Sequence, residues 1–115
     1  MKLVTVSHDA PSVTILHLQD RVNMGNTGEL EQAAEQAHAA GARRMIIDLS
    51  RVPSLTSAGI RSILIIHKLL AGTANTPGHL KLAGPTKPVR EVLKIAGLLD
   101  HLEMYDTVEQ ALAAF

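Results

Sequence analysis

The chain has 115 residues, a formal net charge of zero, 46% hydrophobic residues and no cysteine. The length suits one domain over residues 1–115, and the apolar fraction suffices for a core. The lack of cysteine excludes thiol catalysis, disulfides and thiolate metal sites. Nucleic-acid binding is disfavoured, because it normally requires a basic excess and stacking aromatics, and this chain has one Tyr, one Phe and no Trp.

Two further classes are excluded by hydropathy. No apolar run approaches the length of a membrane span. Residues 1–6 lack the apolar region of a signal peptide. We therefore expect a soluble, cytoplasmic protein that has no membrane partner.

The first elements are a hairpin and a helix. Apolar residues within 4–6 and 13–18 predict two strands around a turn at residues 9–12. A polar loop follows, and either Asn26 or Thr27 can cap the next helix.

The middle of the chain alternates strand and helix. The first helix has a thin apolar stripe and stops at Gly41. The nearly continuous apolar run at 45–49 is typical of a strand that is covered on both faces. A strongly apolar helix follows, marked by apolar residues from Ile60 to Leu70, and residues 72–78 are expected to form a loop.

The last third repeats this alternation. We expect a strand at 80–82, a helix that ends at Gly97, and a short strand within 102–105. The expected helix starts are Pro85 or Thr86 for the third helix and Asp106 or Thr107 for the fourth. The order β-β-α-β-α-β-α-β-α predicts an α/β fold with a mostly parallel sheet, because this alternation requires crossover connections.

Catalytic and metal-binding candidates are few. The six histidines lack metal-ligand spacing, and we interpret His17 and His67 as structural or surface residues. Asp48, near the end of the third strand, could be catalytic in an α/β fold. No partner base or nucleophile is evident for Asp48, so we favour a hydrogen-bond acceptor for the turn at 50–54. Position 55 is Leu where a nucleophile elbow needs Gly, so we expect no enzyme activity, metal or cofactor.

Residues 55–63, LTSAGIRSI, are the most informative segment. They place Ser57 at a strand-to-helix turn, where free amides favour an anion such as phosphate. A serine there is more often a plain N-cap, so we expect Ser57 to cap the second helix. The residues alone leave open whether it also carries a phosphate. The small residues around Gly59 allow another backbone or a ligand to come close.

Residues 48–60, DLSRVPSLTSAGI, resemble the pattern D-L-S-x-V-x-x-[ILM]-[DS]-S-[STA]-G-[LI] of STAS domains, and within that family of bacterial anti-sigma factor antagonists. Residues 18–30 and 95–112 show weaker similarity, so the resemblance covers nearly the whole chain. It implies a mixed, mostly parallel sheet of four or five strands with four helices packed predominantly on one face.

The resemblance also implies a function. Such an antagonist binds a nucleotide-bound serine-kinase anti-sigma factor and thereby releases the sigma factor. The kinase then phosphorylates the antagonist, which separates the pair, and a PP2C-type phosphatase resets it. The matching serine is Ser57, with Thr56 as an alternative acceptor. Thr56 and Asn23 both stand where the family often has Asp.

The surface implied for the partner surrounds the start of the second helix. It comprises Asn23, Met24, Thr27, Ser54, Thr56, Ala58, Gly59, Ile60 and Arg61. We expect a monomer or weak dimer. Two alternatives stay open: a STAS scaffold module of a signalling complex that is never phosphorylated, and a STAS protein that binds a small ligand or lipid.

Overall fold

The computed structural model describes residues 3–9, 13–71, 79–100 and 102–115. The loop expected at 72–78 and most of the turn at 9–12 lie outside the described residues. The strands are β1 (Val4–Asp9), β2 (Val13–Leu18), β3 (Arg44–Asp48), β4 (Leu80–Ala83) and β5 (Glu103–Tyr105). The helices are α1 (Thr27–Ala39), α2 (Ser57–Ala71), α3 (Lys87–Ile95) and α4 (Val108–Ala113), with a short 3-10 helix at Leu98–Asp100. The predicted order is confirmed, and the 3-10 turn is an addition to it.

The five strands form one sheet in the order β1-β2-β3-β4-β5. β1 runs antiparallel to β2, and the other neighbouring pairs are parallel. The expected mixed, mostly parallel sheet is therefore confirmed. The register sets His17 directly opposite Asp48 on one side and Thr5 on the other.

Apolar clusters lie on both faces of the sheet. The larger one joins strand residues such as Leu16 and Ile47 to Leu30 of α1, Ile66 of α2 and Leu93 of α3, all buried. Full burial of one such side chain contributes about 1.5–3 kcal/mol. The smaller cluster packs strand residues against α4 through the buried Ala111. Three helices thus cover one face and α4 lies on the other, as the resemblance implied.

Helix ends follow the sequence signals. Gly41 (φ +108°) follows α1, and Gly97 (φ +77°) follows α3, in a left-handed conformation that glycine adopts without strain. Thr86 is the N-cap of α3. At α4 the N-cap is Thr107, whose side chain accepts a hydrogen bond of 3.1 Å from the amide of Gln110.

Candidate functional site

Main-chain hydrogen bonds tie the loop before α1 to the turn before α2. The amide of Val22 donates to the carbonyl of Ser54 (3.2 Å), and the amide of Thr56 donates to the carbonyl of Val22 (3.1 Å). The Thr56 hydroxyl donates to the same carbonyl (3.0 Å). Val22 and Leu55 are both buried and form an isolated parallel bridge. The loop at 23–26 is thereby held beside the start of α2.

α2 begins at Ser57, and its cap is the preceding residue. The amide of Ile60 donates to the carbonyl of Thr56 (3.0 Å), which makes Thr56 the N-cap and Ser57 the first helical residue. The expectation that Ser57 itself is the cap is therefore wrong by one position. Because the bridge to Val22 holds Thr56 outside the helix, Ser57 becomes its first residue. Its side chain is exposed and makes no hydrogen bond within the described part of the chain.

Gly59 is buried in the first turn of α2. A Cβ atom at this position would lie 2.4 Å from Leu55 Cδ1 and 2.9 Å from Val22 Cγ1. The close approach expected at Gly59 is therefore made by side chains of this chain. Ile60 is half-buried and packs against the larger core cluster. Gly59 and Ile60 therefore support the start of α2 from below and contribute little to its exposed surface.

A hollow of about 480 Å³ lies between α1 and α2, and we call it the α1–α2 hollow. It is lined by Met24, Thr27, Glu31, Ser57, Ala58, Arg61, Ser62 and Ile65. Met24 is 84% exposed and Ile65 is 37% exposed. Exposed apolar side chains beside polar ones are a feature of protein contact surfaces. The structure thus brings together four of the predicted contact residues (Met24, Thr27, Ala58 and Arg61) with Ser57.

One cation of the α1–α2 hollow is available to a partner. The Ser62 hydroxyl donates to Glu31 Oε2 (2.7 Å), which links α2 to α1. Arg61 is exposed and forms no ion pair within the described ranges. Residues four apart on a helix lie on the same face, so Arg61 and Ser57 are neighbours on α2.

Asn23 is a turn residue. Its Oδ1 accepts from the amide of Gly25 (2.8 Å), and its own amide donates to Asn26 Oδ1 (2.9 Å). Asn26 is the N-cap of α1, but its side chain serves this turn and bonds no amide of the helix. The two asparagines shape the loop that carries Met24. Ser54, the remaining predicted contact, is exposed in the turn before α2.

A second polar cluster lies on the sheet face opposite α1–α3. His17 Nδ1 is 2.8 Å from Asp48 Oδ2, and His17 Nε2 is 2.8 Å from Ser7 Oγ. The amide of Ser50 donates to Asp48 Oδ1 (3.0 Å), which confirms the predicted turn acceptor. The expectation that Asp48 lacks a base or nucleophile partner is wrong. Its partners lie on two other strands, so only the strand register could have identified them.

Burial and hydrogen bonding act in opposite directions on the pKa of Asp48. Burial acts to raise the pKa of its carboxyl group, but the hydrogen bonds from His17 and Ser50 outweigh burial and lower the pKa below the ordinary value of 3.8. Asp48 is therefore a carboxylate near neutral pH, and it can only accept hydrogen bonds.

Across the four described ranges, no group of three or more His, Asp or Glu side chains could hold a metal ion. No helix within those ranges is long and apolar enough to cross a membrane.

The sequence matches the STAS domain model over residues 5–111. The chain belongs to the STAS domain family. It is 36% identical over 98 residues to the protein named "Putative anti-sigma factor antagonist BtrV" from Bordetella bronchiseptica, an alignment that covers 85% of this chain and 82% of that protein.

Solved structures share the fold. An anti-sigma factor antagonist from Mycobacterium paratuberculosis superposes with a TM-score of 0.84 at 23% identity, over 96% of this chain and 91% of that chain. Unphosphorylated SpoIIAA, an anti-sigma factor antagonist, gives a TM-score of 0.80 at 21% identity, over 95% and 92% of the two chains. The phosphorylated form of SpoIIAA, a Bacillus cell fate determinant, gives a TM-score of 0.74 at 20% identity, over 96% of this chain and 97% of that chain. The STAS fold expected from residues 48–60 is thus confirmed.

Proposed function

We propose that this protein is an anti-sigma factor antagonist whose docking is switched by phosphorylation of Ser57. It binds a nucleotide-bound serine-kinase anti-sigma factor through the α1–α2 hollow and so frees the sigma factor. The kinase ends the contact by phosphorylating Ser57, and a PP2C-type phosphatase restores it. The observation that carries the proposal is the exposed hydroxyl of Ser57 at the rim of that hollow, which forms no hydrogen bond with any described residue.

The similarity to antagonists supports the same function. The relative BtrV and the SpoIIAA structures bear that description, and SpoIIAA is known in both phosphorylation states. In keeping with the function, we propose that the chain is one domain over residues 1–115, that it acts in the cytoplasm, and that it is a monomer or weak dimer.

Ser57 is favoured over Thr56 as the acceptor by hydrogen bonding. The Thr56 hydroxyl donates to the carbonyl of Val22 at 3.0 Å, so transfer of a phosphoryl group to it would break the tie between the two loops. The Ser57 hydroxyl makes no such contact within the described residues. Phosphorylation of Ser57 therefore leaves the supporting bonds intact.

Charge accounts for the switch. A phosphoserine carries about −1.5 to −2 charges near neutral pH. The unpaired amides at the start of α2 tolerate this charge in the isolated protein. In an interface with the partner, the phosphate must give up its hydrating water, and this desolvation costs binding free energy unless the partner pairs the charge. A loss of about 3 kcal/mol suffices to weaken binding roughly a hundredfold, so no large shape change is required.

The phosphoryl-transfer assay tests the acceptor. The purified chain is incubated with ATP and the cognate anti-sigma kinase, and the phosphosite is mapped by mass spectrometry. We expect one phosphate on Ser57, none on Ser57→Ala, and normal phosphorylation of the control Thr56→Val. Modification of Thr56 in the wild type, or no modification by an active kinase, would contradict the proposal.

A binding assay tests the surface. Arg61→Ala should weaken docking of the unphosphorylated chain because it removes the available cation of the α1–α2 hollow. Lys68→Ala is the matched control, since Lys68 is an exposed cation in the last turn of the same helix and does not line the hollow. Equal affinities of the two variants would place the interface elsewhere.

A further inference from the structure

Three adjacent strands bring Ser7, His17 and Asp48 together on one sheet face. Ser7 lies on β1, diagonal to His17 on β2, and Asp48 of β3 is directly opposite His17. The same face carries Ile15 and Ile46 of the smaller apolar cluster. The His17 side chain keeps 35% of its surface exposed. Solutes therefore reach the imidazole.

The direction of each hydrogen bond follows from the charge on Asp48. A carboxylate has no proton to donate, so His17 Nδ1 must carry the proton between them. Whenever the ring is neutral, this arrangement leaves Nε2 unprotonated, so that it can accept from the Ser7 hydroxyl 2.8 Å away. The amide of Ser50 fixes the other oxygen of Asp48. The ring is thus held in the tautomer in which it can take a proton from Ser7.

We propose that Ser7 is an activated nucleophile that reacts with small acyl donors such as activated esters. This reactivity is separate from the docking surface on α1 and α2. His17 acts as the base, and Asp48 is a positioning residue. The same nucleophile–base–carboxylate order occurs in serine hydrolases on unrelated folds.

The reaction balances without a cofactor. Ser7 Oγ bonds to the carbonyl carbon of the ester while its proton passes to His17 Nε2. The bond between that carbon and the alkoxy or aryloxy oxygen breaks, and the leaving group takes the proton from His17. Water, deprotonated by His17, then attacks the acyl-serine, releases the carboxylic acid and restores the Ser7 hydroxyl.

The surroundings favour small, polar acyl groups. A hollow of about 380 Å³ is lined by His17 and Asp48 together with Thr5, Gln19 and Arg51. Ser7 is not part of this lining, but its hydroxyl contacts the His17 ring that borders the hollow. The lining side chains offer hydroxyl, amide and guanidinium donors. A short polar or anionic acyl group fits this lining better than a long apolar chain.

The test uses p-nitrophenyl acetate with the full chain. Acetylation is followed by nitrophenolate release and located by peptide mass spectrometry. We expect acetyl-Ser7 to form about a hundredfold faster in the folded chain than in the urea-unfolded chain, a gain typical of a positioned base. Ser7→Ala should abolish this fast phase, and His17→Gln should reduce it to the unfolded rate.

Control variants distinguish acetylation that depends on the Ser7–His17–Asp48 cluster from the general reactivity of surface side chains. His8→Gln should leave the rate unchanged, because His8 contacts Thr14 on the other side of the sheet. Asp48→Asn should slow acetylation and alter its dependence on pH, since the ring tautomer is no longer fixed. The groups that face His17 are Ser7 on β1 and Asp48 on β3, with Arg51 in the adjoining hollow.

Three results would overturn the proposal. These are an equal Ser7 rate in folded and unfolded chains, an unchanged rate in His17→Gln, and a fast phase that survives in Ser7→Ala. The last result would make the imidazole the nucleophile. If His17→Gln does not fold, Ser7→Ala still tests whether Ser7 is the nucleophile, because this variant leaves the His17–Asp48 pair in place.

Discussion

Gly59 is the residue whose replacement most directly probes how the start of α2 is supported. In Gly59→Ala, the new methyl group meets Leu55 Cδ1 at 2.4 Å, Val22 Cγ1 at 2.9 Å and Val22 Cβ at 3.2 Å. The Leu55 contact is the end of a flexible side chain and can move. Val22 cannot easily do so, because it is fully buried, β-branched and hydrogen-bonded at both its amide and its carbonyl.

The net effect is the difference of two contributions. Overpacking of a core costs about 1–3 kcal/mol. Replacing glycine by alanine in a helix returns up to about 1 kcal/mol. Because Val22 cannot easily move, the upper part of the overpacking range applies, about 2–3 kcal/mol. After the gain of about 1 kcal/mol is subtracted, we expect Gly59→Ala to lower the free energy of unfolding by about 1–2 kcal/mol. The shift of Val22 should also disturb the loop at 23–26 and weaken docking.

Urea denaturation followed by circular dichroism measures this change, and Gly28→Ala provides the matched control. Gly28 lies in the first turn of α1, where a Cβ atom would meet no atom of the described residues within 4 Å. That variant should be as stable as the wild type or more stable by up to about 1 kcal/mol. If Gly59→Ala equals or exceeds the wild type in stability, the packing argument at α2 is refuted.

Three other substitutions test single interactions. Thr56→Val removes the hydrogen bond from the Thr56 hydroxyl to the Val22 carbonyl and should lower the free energy of unfolding in urea by about 0.5–1.5 kcal/mol; an unchanged value would mean that this bond does not stabilise the fold. Ser57→Asp places a negative charge at the start of α2 and should stabilise the isolated protein by about 0.3–1 kcal/mol, while it abolishes docking; destabilisation would contradict the assigned helix start. Asp48 has a folded-state pKa below 3.8, so its stabilisation is present near neutral pH and is lost as the pH falls through that lowered value. The wild type should therefore lose more stability than Asp48→Asn in an acid titration, and parallel losses would count against the His17 and Ser50 bonds.

The elements of this fold could be predicted because each carries its own local signal. Apolar runs such as 45–49 mark buried strands, and Gly41 and Thr107 mark helix ends. The assignment of the α2 cap failed because Thr56 and Ser57 are adjacent hydroxyl residues that serve equally well. The bridge between Val22 and Leu55, which is a tertiary contact, decides between them.

Long-range pairing explains what the sequence could not reveal. His17 lies 10 residues from Ser7 and 31 from Asp48 along the chain. Only the register of three strands makes them neighbours. The hollow that surrounds Ser57 likewise depends on the packing of α1 against α2, since Met24 reaches it from a separate loop.

We expect the charge on Ser57 to control docking. Titration calorimetry of the anti-sigma kinase, loaded with nucleotide, against the unphosphorylated and the Ser57-phosphorylated chain measures this directly. We expect tight binding of the unphosphorylated chain and affinity at least about a hundredfold weaker after phosphorylation, equivalent to about 3 kcal/mol. Equal affinities of the two forms would mean that charge on Ser57 does not control docking.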